Sequence, residues 1–301
     1  MPNAATSRLL ATQAPDGGWG AYGAASSRTE PTALATLALA LAADPGAEGA
    51  VYAGRAWLEA AQRADGSWPL GAGAEEPNWS TSLAILTLTH VRPGSEAEEA
   101  GVAWLMAQKG RGSPLLAKVL SLFLRDRPAV DLDPELTGWP WAEGTFSWVE
   151  PTSYALLALK RRRAPRPRSI ESRIREAERM LVDRVCEGGG WNYGNSVVLD
   201  DVLWPYPDTT ALALLALADR PDLEAVRASL DRLPRMLDEN DSVLSLGLGV
   251  LALSVHGRDP QPTRARLEER LDGGETGEIR ALAWGAIGAL DRPDSLGILH
   301  G

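Results

Sequence analysis

Three acidic residues occupy the same place in three similar stretches of this sequence. Glu30, Glu150 and Asp208 each stand two residues before a threonine that opens an apolar run. A carboxylate in the first helical turn can accept backbone N–H bonds and suits the helix macrodipole. Aspartate is a good cap and glutamate a poor one, so capping explains Asp208 best. We expect Glu30 and Glu150 to face the mouth of a cavity, where paired carboxyls could do acid–base chemistry.

The helices that must position these acids form a repeat. The runs "TEPTALATLAL", "VEPTSYALLAL", "YPDTTALALLAL" and "STSLAILTLTH" are apolar on every side, whereas "AGRAWLEAAQ" and "AGVAWLMAQ" between them have a polar face. Such alternation is typical of a helical repeat in which a buried inner ring lies inside an outer ring. The sequence predicts an all-α protein with an α/α toroid (an α6/α6 barrel) of about six helical hairpins, as one domain over residues 1–301. An open solenoid is the alternative architecture.

Composition agrees with a helical globular protein. Hydrophobic residues make up 45% of the 301 positions, and only two are phenylalanine. The net charge of -10 disfavours nucleic acid as a partner, and the basic run "KRRRAPRPR" is typical of a solvated connector. The sequence has a single cysteine, no signal-peptide pattern of basic and then apolar residues, and no apolar run long enough to span a bilayer. These features predict a cytoplasmic protein.

The turns that follow the polar-faced helices carry a recognisable motif. They read "QAPDGGWG", "QRADGSW" and, in a degenerate form, "CEGGGWNYG". These resemble the glutamine-tryptophan repeats of the squalene-hopene cyclase, oxidosqualene cyclase and protein prenyltransferase β-subunit superfamily. The resemblance implies an α/α toroid whose cavity opens where the inner helices begin, is lined by aromatic residues and holds an isoprenoid. Trp19 and Trp68 of the motif are expected to pack between helices.

The class II cyclases of this superfamily carry an Asp-x-Asp-Asp-Thr-Ala signature that supplies the acid for protonating a double bond or epoxide. Here "YPDTTA" keeps Asp208, Thr210 and Ala211, while Tyr206 and Thr209 replace two carboxylates. The resemblance therefore implies Asp208 as the catalytic acid, with Glu30 or Glu150 as its electrostatic partner. Protonating an alkene requires a neutral carboxyl, so burial or a neighbouring acid must keep the proton on Asp208.

Aromatic residues precede two of the acids. Their rings could stabilise the positive charge that a cyclising polyene develops, or they could pin Pro-rich loops onto the rim. The predicted substrate-binding residues are Trp139, Trp141, Phe146, Trp148, Trp191, Tyr193, Trp204 and Tyr206.

No metal or cofactor is expected. A prenyltransferase-type zinc needs Asp, Cys and His ligands, and Cys186, His90, His256 and His300 are not placed to supply them. Proline and glycine predict a loop over residues 125–151. A toroid of this size leaves its cavity open, unless that loop or a partner chain closes it. Peripheral contact with a membrane is also compatible with this interpretation.

Three functions follow from these patterns. The first is an enzyme that cyclises an isoprenoid by protonation. The second is a toroid that binds an isoprenoid or another lipid, or a protein, without catalysis. The third, supported by the two glutamates alone, is a carbohydrate-processing α/α barrel.

Overall fold

A computed structural model gives the architecture of the chain. The described residues are 4–23, 25–71, 79–110, 132–133, 135–162, 166–194, 197–198, 201–274, 276–290 and 297.

Twelve α-helices lie within these residues. They are α1 Ala4–Ala11, α2 Thr29–Ala42, α3 Glu48–Ala61, α4 Ser80–Val91, α5 Glu96–Ala107, α6 Val149–Arg161, α7 Arg168–Asp183, α8 Pro207–Ala216, α9 Glu224–Asp238, α10 Val243–Val255, α11 Gln261–Asp272 and α12 Ile279–Gly288. A short 3-10 helix, Pro45–Ala47, precedes α3. Two-residue strands, β1 Val197–Val198 and β2 Asp201–Val202, pair antiparallel.

The even-numbered helices form a closed inner ring. Neighbours pack in the order α2, α4, α6, α8, α10, α12, and α12 packs back against α2. The odd-numbered helices lie outside, and α1 fills the outer position between α12 and α2. The predicted all-α toroid is therefore confirmed, and the open solenoid is wrong. Burial on every side explains why the inner helices are apolar all round, since no face of them reaches water.

A tryptophan turn of this kind joins an outer helix to the next inner helix at four junctions of the described residues. The Trp68 indole N–H donates to the Leu58 carbonyl at 2.7 Å, and the Trp68 backbone N–H donates to Thr81 Oγ1 at 3.0 Å. The Gln62 amide reaches the Ala97 carbonyl at the start of the next outer helix. The same indole and threonine bonds recur at Trp19, Trp139 and Trp191. The expected structural role of Trp19 and Trp68 follows from these bonds, because both indoles are completely buried.

Glycine is required at one point of this junction. Gly66 has a φ of +90°, and a side chain there would meet the backbone of Ala100. Only glycine adopts this conformation without strain and allows so close an approach of two chain segments.

Loops join one another around the end of the ring where the inner helices begin, which we call the mouth. The first residue of α2, Thr29, donates its N–H to Leu70 O at 3.1 Å, and Ile279 of α12 donates to Ala21 O at 3.0 Å. The second of these bonds links the last hairpin of the ring to the first. Residues 135–148 contain no helix, which agrees with the predicted loop, but its predicted end at 151 is wrong because α6 begins at Val149. Residues 125–131 and 134 lie outside the described residues.

Candidate active site

The second residue of four inner helices defines the mouth. Glu30 in α2, Glu150 in α6, Asp208 in α8 and Arg280 in α12 all take this position. Side chains at equivalent places in a ring of parallel helices lie at one level and point towards a common axis. The chain thus brings three carboxyl groups and one guanidinium to the same end of the toroid.

Arg280 joins the two glutamates. Its guanidinium Nη2 donates a short hydrogen bond to Glu150 Oε1, and its Nε lies 3.5 Å from Glu30 Oε1. Because α12 and α6 are opposite each other in the ring, the Arg280–Glu150 ion pair spans its centre. We call Glu30, Glu150 and Arg280 the mouth cluster.

Both glutamates hold their protons more tightly than in water. Burial raises the pKa of Glu30 from 4.5 to about 7, with Glu150 and Glu278 adding to the rise and Arg280 opposing it. Burial likewise raises the pKa of Glu150, Asp208 raises it further, and Arg280 and the Tyr154 hydroxyl lower it. The mouth cluster therefore contains a carboxyl group that is partly protonated near neutral pH.

A layer of aromatic rings lies directly beneath the mouth cluster. Tyr154 stands one turn below Glu150 and Trp284 one turn below Arg280, and their rings stack with centroids 6.3 Å apart. Trp79, at the start of α4, stacks on the other face of Tyr154 at 5.6 Å. Tyr154 and Trp284 are fully buried, so these rings fill the axis of the toroid under the charged layer. A ligand at the mouth would rest on the cluster rather than pass deep into the barrel.

Two of the three predicted catalytic residues share an ion-pair partner, and the third lies next to them. Glu30 and Glu150 share Arg280. Asp208 is half-buried in the first turn of α8 and is close enough to act electrostatically on Glu150 and Tyr193. The guanidinium of Arg280 thus pairs with both glutamates, and Asp208 lies beside them.

Two of the predicted substrate-binding residues are core residues. Trp139 is 2% exposed and Trp191 is 0% exposed, and their indoles donate to the carbonyls of Leu105 and Leu181 in outer helices. The guanidinium of Arg173 covers the Trp139 ring at 4.0 Å. Burial and these contacts leave the two indoles almost no surface for a ligand, which argues against their predicted role in substrate binding.

The other predicted aromatic residues are on the mouth loops. Trp141 packs edge-on against Trp79 at 5.0 Å, and Tyr193 and Tyr206 form an exposed pair 5.1 Å apart next to Asp208. Trp148 is half-buried, and Phe146 is 52% exposed. Trp204 differs from them because it is 74% exposed and lies under Arg232 of the outer helix α9. The exposed rings give the mouth an apolar rim.

Arg280, Tyr154, Trp284 and Trp79 were not among the predicted site residues. The sequence did contain one signal for Arg280, because aligning "GEIRALAWGAIGAL" with the three acid-bearing stretches puts it level with the acids. Nothing in the local pattern distinguishes Tyr154 and Trp284 from ordinary core residues.

Among the described residues, no group of three or more His, Cys, Asp and Glu side chains could hold a metal ion. Within that part of the chain, no helix is both long and apolar enough to cross a bilayer.

Solved structures with this fold include enzymes of different kinds. The type II terpene cyclase MstE from Scytonema superposes with a TM-score of 0.57 at 15% identity, covering 89% of this chain and 76% of that one. An inactive variant of the alpha-1,6-mannanase GH76A of Salegentibacter, in complex with alpha-1,6-mannotriose, gives 0.57 at 10% identity, covering 98% and 97%. A protein from Actinoplanes gives 0.52 at 21% identity, covering 93% and 78%.

No family model matches the sequence, and no curated protein matches it. At these identities the structural likeness establishes the α/α toroid fold and nothing finer, so the function must be argued from the site.

Proposed function

We propose that the mouth binds an isoprenoid and that the mouth cluster starts its cyclisation by protonating a double bond. The observation that carries the proposal is the convergence of Glu30 and Glu150 on Arg280, above a layer of stacked aromatic rings and inside an apolar rim. The fold and the glutamine-tryptophan motif support an isoprenoid as ligand. A variant of MstE has been solved in complex with its substrate geranylgeranyl dihydroxybenzoate, and matches with a TM-score of 0.53 and 16% identity over 97% of this chain and 78% of that one.

Glu30 is the proton donor in this proposal. Its raised pKa keeps a large fraction of the carboxyl group neutral at pH 7. Arg280 would stabilise the carboxylate left after proton transfer, so its attraction grows as the proton leaves and favours the transition state. Glu150 holds Arg280 from the opposite helix, and Asp208 disfavours further negative charge beside it.

The reaction is an isomerisation. The proton adds to one carbon of a terminal double bond, the next double bond closes a ring on the cation, and the last cation loses a proton. Atoms and electrons balance without an oxidant or another reactant. Tyr193 and Tyr206 are placed to offer ring faces to the positive charge. Because the aromatic layer fills the axis, the substrate must lie across the mouth, and a partner chain or a membrane surface over the rim would exclude water.

The experiment is incubation of the purified protein with geranylgeranyl dihydroxybenzoate, squalene and geranylgeranyl diphosphate, followed by mass spectrometry of cyclised products. Removing a general acid is expected to slow turnover by about 10²–10⁴-fold in Glu30→Gln. The matched control is Glu59→Gln, which removes a glutamate from an outer helix, where it pairs with Arg92 at 2.9 Å. Product formation that is unchanged in Glu30→Gln would refute the role given to this residue.

A second candidate function is glycoside hydrolysis. It is favoured by the two carboxyl groups of the mouth cluster and by the likeness to the mannanase. Release of mannose from alpha-1,6-mannotriose, lost in Glu150→Gln, would favour it over cyclisation. Absence of any turnover, together with an isoprenoid that co-purifies with the protein, would instead identify a binding toroid.

A further inference from the structure

A cleft lies at the opposite end of the toroid from the mouth. It has a volume of about 450 Å³ and is bounded by the last turns of α2 and α4 and by the first turns of α3. Its floor is apolar, with Leu39, Val51 and Val91. We call it the back cleft. A space of this size is within the range that holds a small organic ligand.

Arg55 is the cation of the back cleft. Its guanidinium lies over the ring of Tyr52 at 4.8 Å, and its buried Nε has no hydrogen-bond partner among the described residues. Within the same residues it forms no ion pair, whereas the nearby Arg92 pairs with Glu59 at 2.9 Å. A guanidinium that lines a cleft with an apolar floor, and that has no ion-pair partner among the described residues, is an available anion-binding group.

His90 also lines this cleft, with a neutral imidazole ring. Its Nδ1 is 3.5 Å from Nη2 of Arg161. Because arginine only donates, Nδ1 must accept this contact, and Nε2 then carries the ring hydrogen. Burial and the charge of Arg161 lower the pKa of His90, which keeps the ring neutral at pH 7.

The charges around the cleft limit the ligand to one negative charge. Asp44 and Glu48 also line the cleft. The helices α2 and α4 present their carbonyl ends here, which are the negative ends of the helix macrodipole. These groups would repel a doubly charged phosphate more strongly than a carboxylate, which carries one charge and can pair with the one guanidinium among the lining residues. The apolar floor in turn favours a hydrocarbon body.

We propose that the back cleft binds a small carboxylic acid with an apolar body, whose carboxylate pairs with Arg55 and whose hydrocarbon part covers Leu39, Val51 and Val91. The site is separate from the mouth and does not depend on the function proposed there.

Calorimetric titration of the full chain with octanoate tests the proposal, with octanamide and inorganic phosphate as comparison ligands. Octanoate should bind saturably, and octanamide should bind at least about tenfold more weakly, since it loses a charge-assisted hydrogen bond. Arg55→Met keeps an apolar side chain but removes the charge, and should weaken octanoate by a similar factor. Val51→Trp should abolish binding by filling the cleft.

Two control variants test whether octanoate binds in the back cleft. Arg63→Met removes an arginine from the turn after α3, outside the cleft, and should leave octanoate binding unchanged. Glu30→Gln, at the mouth, should also leave it unchanged. No saturable binding at millimolar octanoate would overturn the proposal. So would equal affinity for octanoate and octanamide, or binding unaffected by both Arg55→Met and Val51→Trp.

Discussion

Replacing Glu30 by glutamine should change how the stability of the toroid depends on pH. A carboxyl group whose pKa is raised by folding binds its proton more tightly in the folded chain, so its contribution to stability is largest below its unfolded pKa. That contribution falls as pH rises through the folded pKa. For Glu30 the fall extends from about pH 4.5 to about pH 7.

The magnitude follows from the size of the shift. A rise from 4.5 to about 7 corresponds to about 3 kcal/mol of folding free energy, at about 1.4 kcal/mol per pH unit. The Glu30 side chain is only 20% exposed, so solvent screening removes a small part of this. Glutamine cannot titrate. The difference in unfolding free energy, variant minus wild type, should therefore rise by about 2–3 kcal/mol between pH 5 and pH 8.

Urea unfolding at pH 5, 6, 7 and 8, for the wild type and Glu30→Gln, measures this difference. Glu150 strengthens the effect, because it ionises more easily once the charge of Glu30 is gone. The control Glu59→Gln removes a half-exposed pair with Arg92 and should shift stability by less than about 1 kcal/mol, without a trend over this range. A difference for Glu30→Gln that stays constant or falls from pH 5 to pH 8 would refute the reasoning.

Three further substitutions test the fold. Thr81→Val should lower the unfolding free energy by about 1–3 kcal/mol in urea titrations, because the buried N–H of Trp68 loses its acceptor. Lys160→Met should cost about 1.5–3 kcal/mol in the same assay, since the buried Glu178 loses a cation at 2.7 Å and keeps only Arg220. Gly66→Ala should lower the melting temperature in calorimetry, because its positive φ and the close backbone leave no room for a side chain.

Each of these has a control and a contradicting result. Thr145→Val removes an exposed threonine hydroxyl and should be nearly neutral, so an equal loss in both threonine variants would contradict the role of the motif. Arg258→Met breaks an exposed pair with Asp231 and should cost less than about 1 kcal/mol. A Gly66→Ala protein as stable as the wild type would contradict the strain argument, with Gly49→Ala, where space is open, as comparison.

The fold could be predicted because its signals are local and repeated. Helices such as α10 are apolar on every side, and only a surrounding layer of helices can bury them. The motif turns mark where several of the hairpins start, since glycine and tryptophan are needed at Gly66 and Trp68 for geometric reasons. That the domain spans all 301 residues, and that the protein is cytoplasmic, stay predictions.

The site could be predicted only in part. Glu30 and Glu150 could be predicted because glutamate is a poor helix cap, so capping alone does not explain two glutamates in the first helical turn. Arg280 was missed because its pairing with Glu150 connects residues that are 130 positions apart, which no local pattern records. The stacking of Tyr154 on Trp284 could not be predicted for the same reason, because these residues are also 130 positions apart in the sequence. Trp139 and Trp191 were misplaced because aromatic residues near an acid look alike in sequence whether they face a cavity or a helix junction.

The proton on Glu30 is the point on which the proposed chemistry depends. Carbon-13 NMR of side-chain carboxyl groups, with the Glu30 signal assigned by its loss in Glu30→Gln, measures it directly. The structure predicts that this signal titrates at about pH 7. A titration near 4.5, the ordinary value for glutamate, would contradict the account, because a carboxyl group already ionised at neutral pH has no proton to donate.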